Sequence, residues 1–302
     1  MPRRGKSFRF RQLLNIIIMQ LKEIKNFFLH LRLNYQIFIL SGAYLLGGVL
    51  SPQTSQLEFF LQFFTIHILL FGGVTAYNSY YDKDEGPIGG LKNPPKMKPW
   101  MLYASWILQI TGLLLSFYSG FFFLIAYSIS MFSFWAYSSP ITRLKGKPIL
   151  SLIAIGVTII CSFFMGYFTH GGDIITITQL IPSIGASLLV LGVYPVSQIY
   201  QIAEDKKRND ITFTVKFGLS GVLALFSILF PMGTILVFSA LYKINKPASL
   251  IFIFIGLIAG LINFFQIKSL KGIESEYDIV MKMKYVSGIL FSIFLIILII
   301  LF

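Results

Sequence analysis

Nine long apolar stretches separated by short polar breaks leave this chain few ways to fold. They cover Tyr35–Leu50, Leu57–Tyr80, Trp100–Tyr118, Phe121–Tyr137, Ile149–Phe168, Ile177–Ile202, Leu219–Tyr242, Ser249–Ile267 and Tyr285–Phe302. Each is close to the roughly 20 residues that an α-helix needs to cross a hydrocarbon core about 30 Å thick. In lipid only helices and closed barrels satisfy the backbone, and a barrel strand alternates apolar and polar positions. These stretches are solidly apolar, so helices are expected. Only 12% of the side chains are charged and 56% are hydrophobic, against about 25% charged in soluble domains. The expectation is an all-α, polytopic membrane protein: a basic amphipathic segment over residues 1–33, then one bundle of nine transmembrane helices over 34–302.

The formal charge of +13 raises the question of an acidic partner, and the location of the cations answers it. With the N-terminus cytoplasmic, all but Lys243 and Lys246 of the 25 Lys and Arg residues fall on the cytoplasmic side. That is the positive-inside pattern, so topology accounts for the charge and no nucleic acid is called for. Arg3, Arg4, Lys6, Arg9 and Arg11 precede the helically spaced apolar positions Leu13, Leu14, Ile17, Leu21, Ile24 and Phe28. An interfacial amphipathic helix fits that pattern, and no small-residue cleavage site follows the short run at Leu13–Met19. The single cysteine, Cys161, lies within the fifth stretch and has no intramolecular partner.

In this topology the second and sixth helices end on the same face, and there the acids collect. The second ends in Asn78-Ser79-Tyr80-Tyr81-Asp82-Lys83-Asp84-Glu85, the sixth in Gln198-Ile199-Tyr200-Gln201-Ile202-Ala203-Glu204-Asp205. Asn78 and Asp82 are four apart and share a helix face. Tyr194, Gln198, Gln201 and Asp205 step by four, three and four, which on an α-helix forms a second stripe. Carboxylates with amide oxygens suit a hard cation such as Mg2+, which keeps several waters and bridges to phosphate oxygens. A solvated rim, with Lys83, Lys206, Lys207 and Arg208 pairing the acids, is the competing reading.

The break after the fourth helix, "YSSPITRLKGKP" at Tyr137–Pro148, places Arg143, Lys145 and Lys147 between two prolines on that face. Arg143 and Lys145 are candidates for gripping phosphate oxygens, or the loop is simply cytoplasmic and basic. Among the tyrosines near these ends (Tyr77, Tyr81, Tyr137, Tyr194, Tyr200), Tyr194 ranks first because it shares the Gln198–Asp205 stripe. The segment "GPIGGLKNPPKMKP", Gly86–Pro99, is too rich in Gly and Pro for a regular element; it reads as a lid whose Lys92, Lys96 and Lys98 draw in an anion, or as a plain connection. His67 and Gln109 stand alone within apolar stretches, where an internal hydrogen bond is expected in place of a ligand role.

Together these stretches resemble the UbiA superfamily of membrane-embedded prenyltransferases, which have nine transmembrane helices and two Asp-rich motifs at the cytoplasmic ends of helices two and six. Asn78–Asp82 is similar to the first motif. "EDKKRNDITFTVKFG", Glu204–Gly218, is similar to the second, and "YSSPITRLKGKP" to the basic loop. Two departures stand out: Gly86 replaces the usual second Asp of the first motif, with Asp84 and Glu85 just before it, and Gln201 replaces the leading acid of the second.

The resemblance implies transfer of an isoprenoid chain from a prenyl diphosphate to an aromatic or lipid-like acceptor, Mg2+-dependent, with release of diphosphate. It implies metal ligands among Asn78, Asp82, Asp84, Gln201, Glu204 and Asp205. Catalytic roles fall to Asp82, Asp205, Lys145, Arg143 and Tyr194, and substrate contacts to Asn78, Gln198, Gln201, Lys83 and Tyr137. The partners implied are the prenyl diphosphate, a hydrophobic or aromatic acceptor and membrane lipid. The expected location is the cytoplasmic membrane of a prokaryote, with the site facing the cytoplasm. The rival readings are a transporter, weakened by the lack of midplane charge, and a catalytically silent lipid-binding member of the same fold.

Overall fold

A computed structural model describes residues 18–52 and 55–301 of the chain. The described residues are helical apart from their connections, with one isolated antiparallel bridge between Ile88 and Leu91. In chain order they form α1 (residues 18–30), α2 (Leu33–Ile39), α3 (Gly42–Val49), α4 (Gln56–Asp82), α5 (Pro99–Ser119), α6 (Phe121–Ser138), α7 (Pro148–Thr169), α8 (Ile177–Lys207), α9 (Phe213–Ile244), α10 (Lys246–Ser269) and α11 (Glu274–Leu301). Among the described residues, the eight helices α4 to α11 are long and apolar enough to cross a membrane.

The first apolar stretch differs from expectation. It is not one continuous helix but two, α2 of 7 residues and α3 of 8, broken at Leu40–Ser41. The buried Ser41 Oγ shares a hydrogen bond of 2.8 Å with Ser292 Oγ on α11, which fixes the break against the last helix. The basic positions Arg3, Arg4, Lys6, Arg9 and Arg11, with Leu13, Leu14 and Ile17, lie outside the described residues, as does Phe302. In α1, Leu21, Ile24 and Phe28 are exposed while Phe27 is buried, so its apolar side chains are divided between bundle and surroundings.

Helix starts follow local chemistry. Pro99 and Pro148 open α5 and α7 at positions where a backbone N–H has no helical partner. Asn245 Oδ1 accepts from the Ala248 N–H at 2.8 Å and caps α10. The main core joins Tyr44 of α3 and Phe59, Phe63 and Phe71 of α4 to Phe163 and Tyr167 of α7. His67 lies within it, stacked on Phe63 at 4.2 Å and donating from Nδ1 to the Phe63 carbonyl at 2.7 Å. Gln109 is likewise satisfied, accepting from Trp135 Nε1 at 2.7 Å and donating to the Ser105 carbonyl at 3.0 Å. Both residues have the internal partners their isolation in the sequence suggested.

Between α3 and α7 the backbones approach closely at two glycines. A Cβ on Gly166 would collide with the Tyr44 carbonyl, and one on Gly47 with the Phe163 carbonyl. Lipid offers helices no hydrophobic drive to associate, so such small-residue contacts provide the dispersion that does. Gly166→Val is expected to force these helices apart at an overpacking cost of about 1–3 kcal/mol. The check is a lowered thermal unfolding midpoint of the detergent-solubilised protein.

Candidate active site

Three segments remote in sequence meet at one end of the bundle: the C-terminus of α4, the loop between α6 and α7, and the α8–α9 junction. Asp82, the last residue of α4, is buried and accepts three hydrogen bonds. Asn78 Nδ2 reaches its Oδ2 at 2.7 Å, one helical turn away, as the four-residue spacing predicts. Lys145 Nζ contacts the same oxygen at 2.6 Å, and Arg143 Nη1 contacts Oδ1 at 2.9 Å. A carboxylate at a helix C-terminus opposes the helix dipole, and these two cations offset that cost.

The loop presents its cations through an unusual turn. Arg143 has φ 41° and ψ 50°, left-handed values that cost a non-glycine residue roughly 1–2 kcal/mol. The turn is held by its own bonds, Thr142 Oγ1 to the Ala136 carbonyl at 2.7 Å and Arg143 N to the Ser139 carbonyl at 2.8 Å. It sends the guanidinium between two acids. Besides Asp82, Arg143 forms a fork with Asp210, Nε to Oδ1 at 3.0 Å and Nη2 to Oδ2 at 2.7 Å. Burial works against the Arg143 charge, yet the ion pairs with Asp210 and Asp82 hold its pKa above the ordinary value.

The α8 side is built differently from the expected α-helical stripe. Pro195 opens a 3-10 segment over Pro195–Gln201, and α geometry resumes at Ile202. Within it, Gln198 is turned into the fold: its Oε1 accepts from the Thr214 N–H at 3.1 Å and Thr214 Oγ1 at 3.2 Å. Gln198 thus tethers the start of α9, a structural role in place of the expected substrate contact. Gln201 donates from Nε2 to the Pro87 carbonyl at 3.2 Å, which leaves its amide oxygen as the ligand atom. Tyr194 shares a hydrogen bond of 2.6 Å with Tyr137 across to α6, so those two predicted residues meet.

Asp205 accepts from Thr212 Oγ1 at 3.2 Å and pairs with Arg208 Nη2 at 3.1 Å. Arg208 also contacts Asp84, Glu204 Oε1 at 3.3 Å and the Asp82 carbonyl at 3.2 Å, with Nε 3.6 Å from Asp210 Oδ2. Burial lifts the Asp84 carboxyl above its ordinary value and the Asp82 charge adds to this, against the pull of Lys145 and Arg208. Asp82, Asp84, Glu204 and Asp205 are therefore brought together. Lys83 is not: its φ of 52° ends α4 and leaves its side chain exposed.

Asp210 and Arg208 are the residues whose roles the sequence reading missed. Asn209, at φ 59°, turns the chain so that the Asp210 N–H meets the Asp205 carbonyl at 2.9 Å. The signal was the Asn-Asp pair just after the second acidic run.

Across the cluster five carboxylates (Asp82, Asp84, Glu204, Asp205, Asp210) meet three cations (Arg143, Lys145, Arg208), leaving two formal negative charges. Among the described residues no three His, Cys, Asp or Glu side chains stand together as a ready metal cage. The donor set nonetheless fits Mg2+, which takes one or two carboxylates and fills its remaining positions with water and phosphate oxygens. The excess charge is that of one divalent cation.

A bundle of membrane-length helices carrying a buried acid–base cluster at one end defines an integral multi-pass membrane protein with a polar site at its border. The profile of the UbiA prenyltransferase family matches residues 37–288, and the chain belongs to that family. Its fold is similar to that of a UbiA homologue from Archaeoglobus fulgidus bound to DMAPP and Mg2+, with a TM-score of 0.69 and 18% identity over 92% of this chain and 100% of that one. The same homologue bound to GPP and Mg2+ gives 0.68 and 17% over 91% and 100%. A digeranylgeranylglyceryl phosphate synthase gives 0.61 and 21% over 93% and 100%. No curated protein matches the sequence.

The Arg143–Asp210 fork is buried on the acid side, and losing one partner of such a pair costs about 3–5 kcal/mol. Asp210→Ala is expected to lower the unfolding free energy by an amount approaching that range. Glu85→Gln, which removes the exposed pair with Lys207, is expected to change it by less than about 1 kcal/mol. Denaturant or thermal unfolding of the two variants side by side is the measurement.

Proposed function

We propose that this protein is a Mg2+-dependent prenyltransferase that moves an isoprenoid chain from a prenyl diphosphate to an aromatic or lipid-like acceptor and releases diphosphate. Family membership supports the class. The observation that carries the reading to this chain is Asp82, whose two oxygens hold Arg143 and Lys145 beside the amide oxygens of Asn78 and Gln201. The A. fulgidus homologue, with a similar fold, binds DMAPP or GPP with Mg2+.

In this reading Asn78, Asp82, Asp84, Gln201, Glu204 and Asp205 supply the oxygens for Mg2+, as the motifs suggest. Bound there, Mg2+ supplies Lewis-acid stabilisation of the negative charge that grows on the departing diphosphate. The chain's own part begins with Arg143 and Lys145, which exchange a carboxylate oxygen for a phosphate oxygen as substrate enters. Both are fixed by neighbours before that exchange, so they cost little reorganisation when the allylic C–O bond ionises. Arg208 offsets the repulsion among Asp84, Glu204 and Asp205 from below.

Water must be kept from the allylic cation. The segment after α4 is tied across the site by Glu85 N to Glu204 Oε1 at 2.8 Å, by the Pro87 carbonyl to Gln201, and by the Gly89 carbonyl to Arg32 at 3.4 Å. Those bonds suit a cover that opens for substrate. The paired hydroxyls of Tyr137 and Tyr194 belong to the same region, where tyrosine faces attract a cation by roughly 0.5–2 kcal/mol.

The distribution of Lys and Arg supports a cytoplasmic N-terminus and a cytoplasmic site, with α2 and α3 together making the first of nine crossings.

Asp82→Asn and Asp205→Asn keep the shape of the side chain and remove its charge. Each is expected to lower Mg2+-dependent diphosphate release at least about 100-fold with the thermal midpoint nearly kept. Purified protein incubated with prenyl diphosphates of several lengths and a membrane extract, followed by mass spectrometry of prenylated products, reads activity and acceptor together. Full turnover in both variants would reject the assignment.

A further inference from the structure

Two more cations stand at this end of the bundle, and neither has a carboxylate. Lys284 of α11 is only 7% exposed. Its Nζ donates to Tyr35 Oη at 2.6 Å and Ser197 Oγ at 3.3 Å, and lies 4.9 Å from the centre of the Tyr35 ring. Arg32, between α1 and α2, is half-buried and donates to Ser79 Oγ at 2.6 Å and the Gly89 carbonyl at 3.4 Å. The described residues include every Asp and Glu of the chain. None of these acids lies within 4.0 Å of either cation, whereas Arg143, Lys145 and Arg208 are each paired.

A buried charge with only neutral partners is expensive and normally acquires a counterion. Two other features point to where one would sit. The Tyr200 hydroxyl, on a residue 3% exposed, has no hydrogen-bond partner, and neither does Arg32 Nε. Tyr200 packs edge-on against Tyr277 at 5.2 Å in the apolar cluster that also receives Tyr35, and its hydroxyl is coupled electrostatically to Arg32 and Tyr35. Arg32 itself is held at φ 50° and ψ 43°, a strained conformation for a non-glycine residue that the surrounding structure must maintain.

The position relates this group to the site already described. Ser79, which receives Arg32, is next to Asn78 on α4. Ser197, which receives Lys284, is next to Gln198 on α8. The unpaired cations therefore border the proposed metal face without sharing its acids. The donor diphosphate already has Arg143, Lys145 and the metal oxygens to receive it.

We propose that Lys284, Arg32 and the Tyr200 hydroxyl form a second anion subsite, which receives a carboxylate or phosphate carried by the acceptor. The inference rests on the transferase reading for the word acceptor, and it narrows the acceptor class to molecules with an acidic group. A guanidinium, an ammonium and a phenol offer donors in the number that one such group accepts.

The test uses the full chain in detergent and four acceptor probes: benzoate and octyl phosphate, with benzamide and octanol as their neutral counterparts. Geranyl diphosphate with Mg2+ is measured in parallel. The wild type is expected to bind each acid at least tenfold more tightly than its neutral counterpart. Lys284→Met and Arg32→Gln are each expected to erase about tenfold of that preference, roughly 1.4 kcal/mol, while leaving the geranyl diphosphate Kd within threefold. Lys284→Arg should retain most of it, and thermal midpoints identify any variant that fails to fold.

No preference for acids in the wild type, or an unchanged preference in both folded variants, overturns the subsite. Weakened geranyl diphosphate binding with intact acid preference would give these cations to the donor and also overturns it. Acid preference in a wild type that ignores geranyl diphosphate supports the subsite and sinks the transferase reading instead.

Discussion

The Asp82 carboxylate is the point on which this end of the molecule depends. Placed at the C-terminus of α4, it would repel the carbonyls of its own helix, so it is stable there only with cations brought from elsewhere. Lys145 and Arg143 come from the loop between α6 and α7, at 2.6 and 2.9 Å. Arg143 passes the connection on through its fork with Asp210, and Arg208 returns it to Asp84, Glu204 and Asp205. One unfavourable carboxylate thus draws α4, the loop and the α8–α9 junction into a single network. Each link is charged on both sides, so the network is also where a polyanionic substrate or a divalent cation exerts most leverage.

Putting all of this at the border of the bundle leaves its middle to another kind of contact. Inside the apolar helices the few polar groups are closed locally: His67 on the Phe63 carbonyl, Gln109 between Trp135 and Ser105. The helices themselves are joined by glycine approaches such as Gly47 and Gly166 between α3 and α7 and by ring packing around Tyr44 and Phe59, whose centroids are 4.8 Å apart. Charge is costly at mid-membrane and affordable at the edge. The division of labour follows: dispersion holds the scaffold, and electrostatics is confined to the chemistry.

That division also explains what the sequence made legible. Membrane-length apolar runs, the Asn78–Asp82 spacing and the basic loop could be read because each depends on neighbours three or four residues away or on bulk composition. The break between α2 and α3 could not, since the run stays apolar through Leu40 and is pinned by Ser292, 251 positions away. Gln198 looked like a ligand by its spacing, but Pro195 replaces α geometry with a tighter 3-10 turn and the amide goes to Thr214. Lys83 looked like a site residue by adjacency to Asp82, and a left-handed turn carries it outward. Arg32 and Lys284 were absorbed into the topological excess of positive charge, because nothing local distinguishes a buried cation from a cytoplasmic one.

The charges at this end suggest why the two sets of cations remain distinct. The paired cluster carries two formal negative charges, and Arg32 with Lys284 carry two positive ones, so the region as a whole is neutral. Neutrality could have been reached by pairing Arg32 and Lys284 with the surplus acids. Instead their hydrogen bonds go to Ser79, Gly89, Tyr35 and Ser197, and the surplus on the acid side stays uncompensated. A site separated in this way pulls a cation toward one wall and an anion toward the other, and in a low-dielectric pocket each attraction is stronger than in water. A metal–diphosphate complex meets the first wall with its metal, and an acidic acceptor meets the second with its headgroup. Opposite charges on the two walls then orient the pair before any bond changes, which is the geometric condition that a bimolecular transfer most needs.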